Sequence, residues 1–120
     1  MAVAILAFLG VAACTPTKPP LDQLDAASRA LGTARDAGAA ELAGPTYRAA
    51  AQRFDAAQAA EGRGEYALAA DLAAESQVSS ELAAAQARLA RLRGEVDRMR
   101  RENAATAGDL RQAPGMEFQQ

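Results

Sequence analysis

The sequence predicts an all-α fold. An antiparallel three-helix arrangement carries a long C-terminal helix that projects as a coiled-coil-like stalk. Three observations predict it. Ala, Leu, Arg, Glu and Gln, all strong helix formers, dominate the chain. Beyond residue 14 the only β-branched aliphatic residues are Val78 and Val96, which leaves little to build a strand from. Helix breakers fall at a few defined points, chiefly Gly38, Gly44-Pro45 and Gly62-Arg63-Gly64.

Residues 1–13 are read as a signal segment and residues 14–20 as a Pro-rich tether. Residues 21–105 form the helical domain, and 106–120 a disordered tail. The tether has Pro16, Pro19 and Pro20 and no apolar period, which favours extended polyproline-like backbone. Helix one is expected from about Pro20 to Ala37. Leu21, Leu24, Ala27, Leu31 and Ala34 form one stripe at helical spacing, and Gly38 suits the C-terminal turn. Asp22 and Asp25 sit at the positive end of its dipole. Ala39 to Gly44 is a short connector with room for one helical turn.

Helix two is expected from Pro45 to about Glu61, with Tyr47, Ala50, Phe54 and Ala57 on one side. Gly62-Arg63-Gly64 reverses the chain. Helix three then starts near Glu65, where Tyr66, Ala69, Ala70, Leu72 and Ala73 pack against helix two. Gly94 costs about 1 kcal/mol relative to Ala, too little to end a helix, so helix three extends to about Ala105. Its far half repeats apolar residues in steps of three and four: Leu82, Ala85, Leu89, Leu92, Val96 and Met99. At 1.5 Å per residue this helix is about 57 Å long, roughly twice either neighbour, so the seam reaches past the hairpin. Leu82, Leu89, Leu92, Val96 and Met99 are therefore the candidate partner-binding residues. Their expected partner is another envelope protein or a second copy of the chain, with an intrachain fold-back onto the seam as the alternative.

Composition bounds the function. Half the residues are apolar, but most of these are alanine, and the aromatic residues are only Phe8, Tyr47, Phe54, Tyr66 and Phe118. Such a core is thin and its stability modest. The formal net charge is −2 with both signs interspersed, which argues against a nucleic-acid partner. Histidine is absent, removing the commonest metal ligand and general base. Asp71 and Glu75 have ligand spacing but no companions, so no metal site is expected. With no nucleophile–base pair and no phosphate loop, no enzymatic activity is expected either.

The arginines Arg88, Arg91, Arg93, Arg98, Arg100 and Arg101 are interleaved with Glu95, Asp97 and Glu102. They read as a solvated face, with Glu95–Arg98 and Asp97–Arg101 at pair spacing. Tyr47, Phe54 and Tyr66 read first as hairpin core. The alternative is a tetratricopeptide-like module in which they bind a peptide or glycan.

Val11-Ala12-Ala13-Cys14 follows the uncharged apolar run Met1 to Val11 and precedes the Pro-rich segment. This order resembles the lipobox of bacterial lipoprotein signal peptides. The apolar run from Ala2 to Cys14 falls short of the roughly 20 residues of a membrane-spanning helix. Lysine and arginine are absent before Cys14, so the basic n-region of the pattern is missing. The resemblance implies cleavage between Ala13 and Cys14 and a diacylglycerol on the Cys14 thiol, the one covalent lipid expected and the only cofactor-like group. Two or three acyl chains, at about 0.8 kcal/mol per buried methylene, hold a protein at a bilayer almost irreversibly. Cys14 is the only cysteine, so no intramolecular disulfide competes for it. Thr15 after the cysteine implies the outer membrane, periplasmic face, in preference to the inner membrane.

The body, from about Leu24 to Ala90, resembles the DUF4398-type helical domain. The matching residues are Ala34, Ala37-Gly38-Ala39, Leu42-Ala43, Pro45, Tyr47, Ala50, Phe54, Ala57, Ala60, Gly64-Glu65-Tyr66, Ala69, Leu72 and Ala73. Members of that family are commonly lipoproteins, and some carry a peptidoglycan-binding OmpA-like domain. No such second domain is expected here, so direct peptidoglycan binding is not supported. The resemblance implies a location and a shape but no catalytic residues. The expected function is a non-enzymatic periplasmic scaffold or adaptor, anchored by acylated Cys14.

Overall fold

The computed structural model describes residues 18–113; the lipobox residues Ala13 and Cys14 lie outside the described residues. Four helices follow in order: α1 Leu21–Asp36, α2 Ala39–Leu42, α3 Gly44–Gly62 and α4 Tyr66–Gln112. The all-α arrangement with a long C-terminal helix is as expected. The connector between the first two expected helices holds the single-turn α2.

Backbone chemistry fixes the turns. Gly38 ends α1 in the left-handed region, at φ 78°, and its N–H donates to the Arg35 carbonyl at 2.8 Å. Ala43 caps α3 at φ −139°, and Pro45 sits in the first turn, where no helical donor is lost. At the other end Gly64 takes φ 73°. Its N–H donates to Glu61 at 2.8 Å while the Glu65 N–H reaches back to Ala60 at 2.9 Å. That pair of bonds is a Schellman motif, and it turns the chain into α4.

α1 and α3 lie on one side of the first half of α4, and α2 covers the same side near Ala83 and Ala87. The core is built almost wholly from alanine. One cluster joins Ala27, Ala57 and Ala73, with Leu24, Phe54 and Leu72 packed around it. A second joins Ala34, Ala37, Ala39, Ala43, Ala83, Ala84 and Ala87, with Tyr47 beside it. Leu31 is the one buried leucine among the described residues. Short side chains bring helix axes to the near end of the usual separation of about 8–10 Å. Close approach also lets a buried side chain reach across: the Ser76 hydroxyl of α4 donates to the Ala50 carbonyl of α3 at 2.9 Å. The second buried hydroxyl, Ser80, donates within its own helix to the Ser76 carbonyl. Both polar groups are thus satisfied, as burial requires.

Two features differ from the sequence expectation, one of burial and one of a helix end. Leu21 is exposed and does not join the α1 stripe. α4 continues past Ala105 to Gln112, so residues 106–112, expected in a disordered tail, are helical. Gly108 alone is too small a penalty to stop the helix. Ala113 adopts φ −66°, ψ 109°, the extended backbone that the residue before a proline favours, and Pro114 follows it. At 47 residues α4 is about 70 Å long.

Candidate functional site

The defining feature of the molecule is that α4 is apolar on two opposite faces. The inner face consists of Ala69, Ala73, Ser76, Ser80, Ala83, Ala84 and Ala87, all buried against the other helices. The outer face carries Val78, Leu82, Leu89, Leu92, Val96, Met99 and Leu110, all exposed. At 3.6 residues per turn the mean directions of the two sets differ by about 160°. Leu82 and Leu89 lie alongside the hairpin yet point away from it, 52% and 46% exposed. The five residues singled out from the sequence therefore share one solvent-facing surface. Val78 and Leu110 extend it at both ends.

This surface keeps a strict seven-residue repeat. One set is Val78, Ala85, Leu92, Met99 and Thr106; the other is Leu82, Leu89, Val96, Asn103 and Leu110, and every member is exposed. The steps alternate four and three from Val78 to Leu110, over about 48 Å of helix. A strip that long and about 10 Å wide is on the order of 500 Å², at the upper end of what a monomer leaves uncovered. Below Val78 the repeat fails. The next two positions are Asp71 and Glu75, and Glu75 accepts from Arg53 Nε of α3 at 3.1 Å.

The inner face changes character where the hairpin ends. The Arg91 guanidinium lies over Gly38, at the α1–α2 corner. From Arg91 to Thr106 every residue is exposed. Beyond that corner the inner positions become Asp97, Arg98 and Arg101, while the outer set stays apolar. A helix with no further role would turn polar on both faces once its hairpin stopped. This one turns polar only on the side that lost its cover.

Ion pairs tie the edges of the outer strip to the polar inner face. Arg98 pairs with Glu102 at 2.9 Å and Glu95 at 3.9 Å, and Arg100 with Asp97 at 3.5 Å. The expected Glu95–Arg98 pair is present, but Asp97 takes Arg100 in place of Arg101. These exposed pairs are worth about 0.5 kcal/mol each and re-partner easily. Leu89, Leu92 and Val96 line an open groove of about 450 Å³ with Arg93, Asp97 and Arg100 at its edges.

The aromatic residues are arranged otherwise. Tyr47 and Phe54 share an open groove of about 370 Å³ between α1 and α3, lined also by Leu31, Gly32 and Arg35. Both rings are half-buried and rest on the alanine clusters. The Tyr47 hydroxyl accepts from Arg35 Nε at 3.2 Å, and this contact holds the exposed guanidinium above its ordinary pKa. Tyr66, at the start of α4, does not line that groove.

Asp71 and Glu75 do not form a metal-ligand pair, since Glu75 is engaged by Arg53; among the described residues no group of three metal-capable side chains assembles. No described helix is long and apolar enough to cross a membrane. Beyond Ala69 and Ala73, the inner alanine–serine face of α4 was missed by apolar periodicity. Its four-three steps, 69, 73, 76, 80, 83 and 87, were visible in the sequence as small residues.

The family model described as "Domain of unknown function (DUF4398)" matches residues 22–99, which takes in α1, α2, α3 and α4 as far as Met99. No curated protein and no solved structure matches the chain.

Proposed function

The chain belongs to the DUF4398 family, and on that premise we propose that it is a non-enzymatic envelope lipoprotein serving as a periplasmic helical scaffold or adaptor. Acylated Cys14 ties it to the membrane, at the periplasmic face of the outer membrane. The hairpin of α1 and α3 braces the first half of α4, and the outer face of α4 is the docking surface. One observation carries this reading: the apolar outer face persists, in heptad register, over the stretch where the hairpin no longer covers α4. An uncovered Leu/Val/Met strip costs solubility unless something occupies it. The anchor rests on the lipobox resemblance and on Cys14 being the only cysteine.

Two variants test the two halves. For the anchor, intact mass and membrane fractionation are measured for the protein and for Cys14→Ala, each expressed in the native host. The proposal requires a chain beginning at Cys14 with added acyl mass, lost in the variant together with membrane attachment. An unmodified chain that retains residues 1–13 rejects it. For the docking surface, Leu89→Asp with Leu92→Asp should abolish capture of the partner without releasing the protein from the membrane. Unchanged crosslinking after that double substitution rejects the outer face as the working surface.

A further inference from the structure

We infer that the occupant of the outer face is a second copy of this chain, paired with the first along α4 as a parallel, in-register, two-stranded coiled coil. This deepens the docking-surface reading and rests on it. Four features of the outer face converge on a like partner.

The first is the repeat itself. A strict seven-residue period, kept from Val78 to Leu110, matches a helix that supercoils with another helix of the same period. Within that repeat Leu82, Leu89, Val96, Asn103 and Leu110 occupy the a positions, and Val78, Ala85, Leu92, Met99 and Thr106 the d positions. Among the described residues no second helix lies on this strip: α1, α2 and α3 are all on the inner side.

The second is Asn103. It is the one amide in the strip and it falls at an a position, where a single Asn sets register and favours two strands at a cost in stability. In a parallel, in-register pair the two Asn103 side chains meet, and each amide finds a donor and an acceptor in the other. In an antiparallel pair an a residue faces a d residue. In the antiparallel pair that overlaps the whole strip from Val78 to Leu110, Asn103 would lie against Ala85, which cannot hydrogen-bond it. A buried amide left unpaired costs about 1–3 kcal/mol.

The third is charge. In a parallel pair Glu95, at a g position, stands beside Arg100 of the second copy, at the following e position, and symmetry makes this contact twice. Glu95 is held in the single chain only by the 3.9 Å contact to Arg98, and Arg100 by an exposed Asp97, so both are free to exchange. Arg88 meets Arg93 of the second copy, a like-charge contact that symmetry also makes twice, at solvent-exposed positions where screening is strong.

The fourth is shape. The hairpin occupies the b, c and f side of α4, about 160° from the a and d strip. A second α4 therefore approaches without displacing α1 or α3. The strip stops at Val78 because Glu75, the next a position, is turned into its pair with Arg53.

The test uses the full-length chain carrying Cys14→Ser, so that no acyl group and no native thiol confuses the result. Its mass in solution is measured by light scattering and sedimentation. The expected mass is twice the 12.4 kDa of one chain. Adding Leu89→Asp and Leu92→Asp should weaken association at least about 100-fold, since both charges would have to be desolvated. Asn103→Leu should tighten it about tenfold and release it from strict two-chain stoichiometry. Adding Leu110→Cys, with mild oxidation, should give a disulfide-linked dimer, because only a parallel, in-register pair brings the two positions together. A monomer, a trimer, a dimer unaffected by the aspartates, or a dimer in which Leu110→Cys forms no interchain disulfide under mild oxidation would each overturn the inference. If the chain is monomeric while a crosslinker at Leu92 captures a different polypeptide in the native host, the second copy is rejected and the docking surface stands. If Leu92 captures nothing, both fall.

Discussion

Leu82 and Ala83 are neighbours in sequence, yet α4 turns them to opposite fates, and exchanging their sizes one at a time reads out both faces of the helix. Ala83 is fully buried among Ala34, Ala37, Ala39, Ala43 and Ala87. Ala83→Leu adds three carbons at a site with no exposed surface, and overpacking of this kind costs about 1–3 kcal/mol. Leu82 is 52% exposed. Burying a leucine fully is worth roughly 1.5–3 kcal/mol, so Leu82→Ala forfeits at most about 1 kcal/mol within the single chain, and the better helix propensity of Ala offsets part of it. The assay is urea unfolding followed by helical circular dichroism, run in dilute protein and again in concentrated protein. With a denaturant slope of about 1–2 kcal/mol/M, Ala83→Leu should lower the midpoint by about 1 M in both. Leu82→Ala should leave the dilute midpoint nearly unchanged and remove any gain on concentration, because that gain comes from association. A larger loss from Leu82→Ala than from Ala83→Leu in dilute protein would refute the assignment of the two faces.

Other consequences follow from single contacts. Gly38→Ala and Gly64→Ala should each lower stability by about 1–2 kcal/mol, since both sites hold φ above +70°, whereas Gly62→Ala, in open space at the helix end, should be neutral or stabilising in a thermal melt. Ser76→Ala removes the one buried side-chain bond between α3 and α4, and should cost about 1 kcal/mol by the same urea measurement. Arg63 holds the exposed Glu65 carboxyl below its usual pKa through their hydrogen bond. A depressed carboxylate stabilises the fold above its unfolded pKa and loses that contribution as pH falls through the folded one. The Glu65 carboxyl should therefore titrate by NMR at lower pH than an ordinary glutamate, and Arg63→Gln should return it to the ordinary range.

Much of this fold could be read from residues alone because its boundaries are set by backbone chemistry. Gly38, Pro45 and the Gly62-Arg63-Gly64 reversal each act locally, and each marks a turn in the structure. The end of α4 was less legible. Gly108 looks like a breaker, but its penalty is small beside the cooperativity of a long helix, and Pro114 sets the limit through Ala113. The core was half legible. Large apolar residues advertise burial, and on α4 they mislead: Leu82, Leu89 and Leu92 are exposed while Ser76 and Ser80 are buried. In a bundle packed through alanine, the informative pattern is the absence of bulk at heptad spacing. The outer strip was visible as a seam in the sequence, but not its direction. Only the placement of α1 and α3 on the opposite side shows that it faces outward along its whole length.

The outer face of α4 as the working surface is tested most directly by photo-crosslinking from single positions in the full chain, expressed in its native host. A photoreactive residue at Leu92 sits on the outer face, and one at Arg101 sits on the polar face opposite it, both exposed and only two and a half turns apart. A discrete crosslinked species is expected from Leu92 and none from Arg101, with the Leu92 product lost when Leu89 is changed to Asp. Equal products from both positions, or a product from Arg101 alone, would contradict it.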